Sequence, residues 1–356
     1  MKELRIGNKV AKVPIIQGGM GVGVSRGKLA GAVAKEGGIG IISTAQIGYD
    51  LEGFEKDQVG CNEKAIKEHI AMAKEIAQGN GLVGVNVMVA LKHYREHVRT
   101  AVEAGADVVI CGAGLPMDLP ELVQGSDTKI APIVSSARGA RLLLQKWKRK
   151  YDYVADFIVV EGPKAGGHLG FSKEDVENGV DFEKEISLIL DVVKGFGKEQ
   201  GKEIPVIVAG GVFDHEDILH MMELGADGVQ IASRFVATYE CDASDAYKNA
   251  YIQAKEEDVK IIQSPVGMPG RAIYNNFLKQ VEQGNTCVKK CYQCLAKCDP
   301  ANIPYCITQA LVNAVKGDVE NGLMFAGANV GRIHEIVSVH ELMQGLTGET
   351  KKENIA

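Results

Sequence analysis

Two segments, Glu103-Ala-Gly-Ala-Asp107-Val-Val and Glu223-Leu-Gly-Ala-Asp227-Gly-Val, are copies of one joint. In each, a helical stretch ends, glycine supplies a left-handed cap, and an apolar run begins that reads as a buried strand. Short apolar, β-branched runs of this kind recur at Val13–Gln17, Gly38–Ser43, Leu82–Met88, Asp107–Cys111, Lys129–Val134, Asp156–Glu161, Pro205–Ala209 and Gly228–Ala232. Helix-period segments lie between several of them. Ser25–Glu36 has Ser25 as its expected N-cap and Gly37 as its stop, and Asp214–Leu224 closes at Gly225. The runs are too uniformly apolar for a sheet with one wet face, so they predict a parallel sheet covered on both sides. Eight strands alternating with helices over about 230 residues predict an α/β fold, a (β/α)₈ TIM barrel. The rival is a doubly wound Rossmann sheet, but its G-x-G-x-x-G turn is missing, since Gly18-Gly-Met-Gly-Val-Gly23 has the wrong spacing.

Length supports the same division. A barrel occupies residues 1–238 of the 356, leaving 239–349 for a smaller, mainly helical, cysteine-rich part packed on the substrate side and 350–356 for a polar tail. With 46% hydrophobic and 24% charged residues, the chain is ordinary globular material, and collagen, coiled coil and disorder are excluded. A formal charge of −6 leaves no footprint for nucleic acid. The basic patch Lys146, Lys148, Arg149, Lys150 follows Leu142, Leu143 and Leu144 and reads as the wet face of a helix. No run nears the roughly 18 apolar residues of a membrane span, and MKELRIGNKV lacks a signal-peptide core, so the expected location is the cytoplasm. Composition is silent on oligomeric state.

Glycine is in excess, 42 of 356 residues, and its positions are informative. Active sites of such barrels lie at the carboxyl ends of the strands. There the chain has Gly18, Gly19, Gly21 and Gly23, then Gly112 and Gly114, then Gly162, Gly166, Gly167 and Gly170, then Gly210 and Gly211. Backbone is being brought close to a flat ligand or a phosphate. Ala209-Gly-Gly-Val212 and Gln230-Ile-Ala-Ser233 stand where many barrels bind phosphate; otherwise the paired glycines only make a tight turn. His168 is the one histidine of eight placed at the mouth, as a general base, an anion donor, or a loop residue bonding local carbonyls. His69, His93, His97, His215, His220, His334 and His340 fall in helical or bottom-side segments. Asn86, polar in an apolar strand, is either a satisfied core amide or a partner for a planar heterocycle.

Pro14-Ile-Ile-Gln-Gly-Gly-Met20, Gly84-Val-Asn86, Glu161 through Gly170, Ala209-Gly-Gly-Val and Val229-Gln-Ile-Ala-Ser-Arg-Phe235 together resemble the nitronate monooxygenase family, also called 2-nitropropane dioxygenases and related to FMN-dependent enoyl-ACP reductase II. The resemblance runs from about residue 5 to about 335 in five ordered motifs. It implies FMN at the barrel mouth, contacted by Gln17, Gly18, Gly19, Met20, Asn86, Glu161, Gly166, Gly210, Gly211, Gln230, Ile231, Ala232 and Ser233, with His168 matching the family's catalytic histidine. Two departures stand out: Glu161 replaces a common Gln, and Ala232-Ser233 replaces a common Gly-Thr. A carboxylate at Glu161 would repel an anionic substrate unless neutralised, with Lys164 as the candidate partner. Ser264 to Ile273 resembles the family loop that returns to the flavin, with Arg271 orienting either an anion or protein.

The resemblance implies an FMN-dependent oxidoreductase that oxidises alkyl nitronates with O2 to carbonyl compound and nitrite. The alternative is an NAD(P)H-dependent FMN reductase acting on enoyl thioesters or quinones. A non-catalytic scaffold with a partner-binding cysteine module is the third reading, and it leaves His168 and the glycine-lined mouth without a purpose.

Five of the eight cysteines fall at Cys287, Cys291, Cys294, Cys298 and Cys306. In a reducing compartment such crowding suggests metal before disulfides. Cys291, Cys294, Cys298 and Cys306 are the candidate ligands of a [4Fe–4S] cluster or zinc, and reduced structural thiols are the alternative.

Overall fold

A computed structural model describes residues 1–349; the expected tail at 350–356 lies outside them. The chain opens with an antiparallel hairpin, β1 (Leu4–Ile6) and β2 (Lys9–Ala11). Six barrel strands follow: β3 (Ile15–Gln17), β4 (Ile39–Ser43), β5 (Leu82–Met88), β6 (Val108–Gly112), β7 (Lys129–Val134) and β8 (Ile158–Glu161). A two-residue strand, β9 (Gly167–His168), sits in the loop after β8, and β10 (Val206–Ala209) and β11 (Gly228–Ile231) complete the set. The eight long-range partners close in the order β10-β11-β3-β4-β5-β6-β7-β8, all pairs parallel. This is the TIM barrel expected, with every strand inside or overlapping its sequence run.

Inward residues fill the barrel. Ile16, Ile39, Ile41, Val108, Ile110, Phe157, Val159 and Ile207 form one buried cluster, and the hairpin adds Leu4, Ile6 and Ala11 to it, plugging the amino-terminal end. A second, larger layer lies between strands and helices around Val83, Val109, Leu143, Trp147, Ile189 and Val206. Gly40 shows how close that layer is: a Cβ there would stand 1.8 Å from the Ala30 carbonyl oxygen, so the helix Gly27–Lys35 rests directly on β4.

The repeated joints have a common function. Asp107 accepts a hydrogen bond from the Val83 N–H at 3.0 Å, and Asp227 accepts one from the Val206 N–H at 2.9 Å. Asp156 does the same for Ile130 at 2.9 Å. Each carboxylate thus satisfies a donor at the start of the neighbouring strand, where the ladder is incomplete. Gly105 and Gly225, at φ of 77° and 104°, make the left-handed turns that deliver those aspartates.

Two local expectations change. Ser25 does not cap its helix; its Oγ accepts from the Met20 N–H at 2.8 Å and orders the glycine loop after β3, leaving the N-cap position to Arg26, whose side chain makes no capping bond and pairs with Asp50 instead. Asp214 does cap His215–Glu223, in a reciprocal box with Asp217. Beyond the barrel, helices Asp245–Gln253, Asn276–Glu282, Ile307–Val315 and Val339–Thr347 are joined by a hairpin absent from the sequence reading. That hairpin, β12 (Val259–Gln263) and β13 (Pro269–Ile273), pairs with β9 in a three-stranded antiparallel sheet. No helix among the described residues is long and apolar enough to cross a membrane.

Asp156 is the buried one of the three aspartates, and it also holds Lys202 Nζ at 2.9 Å and the Tyr153 hydroxyl at 2.6 Å. Asp156→Ala strands these donors and is expected to lower stability by about 3 kcal/mol, read as a shifted denaturant midpoint. An unshifted midpoint would remove this staple from the account.

Candidate active site

The carboxyl ends of the barrel strands surround a cavity. Gly18, Gly19 and Met20 reach it from β3, Asn86 from β5, Glu161 and Gly166 from β8, Gly210 and Gly211 from β10, and Gln230, Ile231, Ala232 and Ser233 from β11. His168 joins them from β9. Of the strand-end glycines, Gly23, Gly114, Gly162 and Gly170 do not line it, and of the contact residues that the resemblance implies, Gln17 alone does not. Its amide is fully buried, accepting from the Ile41 N–H at 3.1 Å and donating to the Ile41 carbonyl at 3.2 Å. Those bonds continue the β3–β4 ladder one step beyond the short β3, so Gln17 is structural.

Glu161 ends β8 half-buried in the cavity wall, and desolvation pushes its carboxyl up to about 8. Lys164 was the expected partner, but no hydrogen bond or ion pair joins the two; burial keeps Glu161 neutral at pH 7. His168 is pushed the other way, down to about 4, also by desolvation. Its Nε2 lies 2.8 Å from the hydroxyl of buried Ser264, and its ring meets Phe325 edge-on at 4.9 Å between centroids. β13 fixes the backbone, pairing Gly270 with His168 and Arg271 with Gly167.

Arg271 does not reach for an anion. Its Nε donates to the Ala165 carbonyl at 3.1 Å and its guanidinium donates to the Pro163 carbonyl at 2.7 Å, clamping the loop after β8. The glycine in that loop is required by packing, because a Cβ on Gly166 would come within 2.5 Å of the Ala326 carbonyl carbon.

At the β11 end of the cavity, Arg234 stacks 4.5 Å from the Phe213 ring centroid, and its Nε is buried with no hydrogen-bond partner. An orphaned guanidinium nitrogen in a cavity wall calls for an anion. Ser233 accepts from the Gly327 N–H at 2.9 Å, which leaves its own hydroxyl proton free to donate toward the cavity. Met20, Asn86, Met88 and Ile133 also line the cavity and give it a mostly apolar wall.

Several lining residues escaped the sequence reading. Tyr247 and Tyr251, one turn apart on Asp245–Gln253 and stacked at 5.5 Å, close one side. Their i, i+4 aromatic spacing was an available signal. Phe325 and Asn329 carried none. The other seven histidines lie off the cavity; His97, for example, is buried with its Nδ1 3.1 Å from Thr44 Oγ1, and burial pushes it down to about 4.

Cys291, Cys294, Cys298 and Cys306 line a different cavity of about 300 Å³. Among the described residues, no three His, Cys, Asp or Glu side chains are arranged to hold one metal ion. This leaves the zinc and the [4Fe–4S] expectations alike without a converged ligand set; the four thiols share the lining of a cavity instead.

A family model described as nitronate monooxygenase matches residues 2–349. The chain belongs to the nitronate monooxygenase family. It is an enzyme, an oxidoreductase of that type. A probable nitronate monooxygenase of Bacillus subtilis is 25% identical over 374 residues, covering 95% of this chain and 96% of that protein. Among solved structures, FabK from Thermotoga maritima superposes with a TM-score of 0.71 at 24% identity, covering 95% of this chain and 93% of that one. Nitroalkane oxidase from Streptomyces ansochromogenes gives 0.72 at 20% identity, with 95% of each chain covered. These two likenesses are likenesses of fold.

The surroundings of His168 make a testable demand. Its imidazole should stay neutral from pH 7 down to about pH 4, which nitrogen NMR of histidine-labelled protein reads directly. An imidazolium at pH 6 would show that the cavity is far wetter than its walls indicate.

Proposed function

We propose that this mouth binds FMN and that the chain oxidises alkyl nitronates with O2, giving carbonyl compound and nitrite. The residues fit the cofactor. Orphaned Arg234 Nε, the free Ser233 proton and the backbone of Gly210 and Gly211 suit its phosphate, and Gly18–Met20, Asn86 and Gly166 suit its ring system. The Asn86 side-chain amide makes no hydrogen bond to protein among the described residues, so its donor and acceptor are available to a heterocycle with imide edges. Bound there, FMN supplies an electron acceptor next to whatever occupies the space beside His168.

The observation that carries the reading is that Glu161 and His168 both line the mouth with no ion-pair partner among the described residues, so that burial pushes the carboxyl up to about 8 and the imidazole down to about 4. Glu161 and His168 are both held neutral at pH 7 by burial alone, so an anionic nitronate entering beside them meets no carboxylate. His168 is then a neutral base that can hold the anion by hydrogen bonding, or take the proton from a neutral nitroalkane. Ser264 fixes the imidazole from the far side.

The family relatives named as nitronate monooxygenases support this substrate class. The shared fold with FabK supports the second reading, in which NAD(P)H reduces FMN for delivery to an enoyl thioester or quinone. No separate nicotinamide-binding fold is present among the described residues, so NAD(P)H would have to use the same mouth in turn with the second substrate. Anaerobic mixing separates the two: flavin bleaching by a nitronate and not by NADH or NADPH supports the first, and rapid bleaching by either nucleotide replaces it with the second.

His168→Ala should retain FMN and lose about 100-fold or more in turnover; full activity would remove His168 from the chemistry. With preformed nitronate as substrate, kcat/KM should fall as pH rises through about 8, because Glu161 is neutral below that value and anionic above it. Glu161→Gln should abolish the fall. A profile identical in the two proteins would assign the titration elsewhere.

A further inference from the structure

Between the helices Asn276–Glu282 and Ile307–Val315 the chain has no helix or strand of its own. The segment is tied to the barrel by few backbone bonds: Lys92 N–H to the Cys294 carbonyl at 3.0 Å, Ala296 N–H to the Ala90 carbonyl at 2.9 Å, and the Leu91–Leu295 bridge between them. Loops this long without structure of their own are uncommon in compact proteins, and they need an organising element. Here the chain's own side chains leave a hollow where that element would be. Cys291, Cys294, Cys298 and Cys306 all face one cavity of about 300 Å³, walled otherwise by apolar groups such as Leu295, Ile303 and Ile307. Cys287 does not line it, although it lies in the same loop. The sulfurs are free thiols, with no disulfide between any of them.

Four cysteines that share the lining of one cavity offer four thiols to one bound group. One zinc ion needs all four sulfurs on a single centre, whereas in a [4Fe–4S] core each iron takes one thiolate and the ligands stand apart around the inorganic core. We propose that Cys291, Cys294, Cys298 and Cys306 bind a [4Fe–4S] cluster. Its place in the fold is specific. Cys306 caps the helix Ile307–Val315, whose Leu311 lines the barrel mouth one turn further on. Pro265 walls the cysteine cavity, and the residue before it, Ser264, holds His168. The cluster therefore sits against the two elements that shape the catalytic mouth. The proposal rests on the cysteines and on no residue assigned to FMN, although an oxygen-sensitive cluster would favour the reductive reading of the mouth.

The test uses the full chain, purified without oxygen and, if needed, incubated with ferrous iron and sulfide. About four irons and four acid-labile sulfides per chain are expected, with a dithionite-induced electron paramagnetic resonance signal distinct from flavin. Cys298→Ser should lose most of the iron and sulfide while Cys287→Ser keeps them. Flavin retention and circular dichroism report whether each variant is folded, and if Cys298→Ser does not fold, the sulfide content of the unaltered chain decides. Absence of sulfide after reconstitution, a single bound zinc, or equal iron in folded Cys298→Ser and in the unaltered chain would each overturn the proposal.

Discussion

Closure of the barrel is the constraint on which the molecule depends. A parallel sheet that closes on itself has no lateral edge, but the first donors of each strand still project beyond the ladder at the amino-terminal end. Asp107, Asp156 and Asp227 accept from those donors in the neighbouring strands, and the β1–β2 hairpin covers the same end with Leu4, Ile6 and Ala11. Because the staples and the plug hold the barrel from below, the opposite end is free to be hollow. Its loops carry glycine where backbone must approach backbone, as at Gly166 against Ala326, and that hollow is the candidate site. Stability and chemistry thus occupy opposite ends of one cylinder.

The mouth is held in a definite charge state by the same scaffold. Two titratable groups, one acidic and one basic, lie in the cavity without partners of opposite charge, and desolvation drives both toward neutrality. Arg234 keeps its guanidinium stacked on Phe213 with Nε unsatisfied. The cavity therefore has a cationic end suited to a phosphate and a neutral end suited to a reacting molecule. Replacing glutamine by Glu161 leaves the neutral end intact below about pH 8, since a protonated carboxyl, like an amide, both donates and accepts.

The strands were legible because burial on both faces forces uninterrupted apolar runs, and each of those runs lies at a barrel strand. Gly18, Gly19, Gly166, Gly210 and Gly211 were legible as site residues because position at a strand end and lack of a side chain point to the same reason. Gln17 was expected at the cofactor only through the family resemblance, whereas the short β3 uses its amide to extend the pairing with Ile41. The β12–β13 hairpin was hidden for another reason. β13 contains Pro269 and Gly270, both poor strand formers, and its partner β9 is only two residues long. Ser264 and Phe325 reach His168 only through that tertiary pairing, so no local pattern announces them. Arg271 left two readings open in the sequence, and the carbonyls of Pro163 and Ala165 decide for the structural one.

The cysteine cavity and the barrel mouth constrain one another. Cys291 is exposed while Cys294, Cys298 and Cys306 are only partly covered, so a cluster in that hollow would be open to oxidants. Such a centre would be poorly matched to turnover that consumes O2 at the mouth. If the cysteines carry a cluster, the oxygen-dependent reading of the mouth loses support and the reductive reading gains it, with no change in any residue assigned to FMN. If they carry none, the loop is held by its contacts with Ala90–Lys92, by Lys290 on Glu55 and Tyr292 on Phe54, and by the helix after Cys306, and the mouth is left to work with the flavin alone. The metal content of the chain therefore bears on its substrate chemistry, through the shared Ser264-Pro265 corner and the helix from Ile307 to Val315.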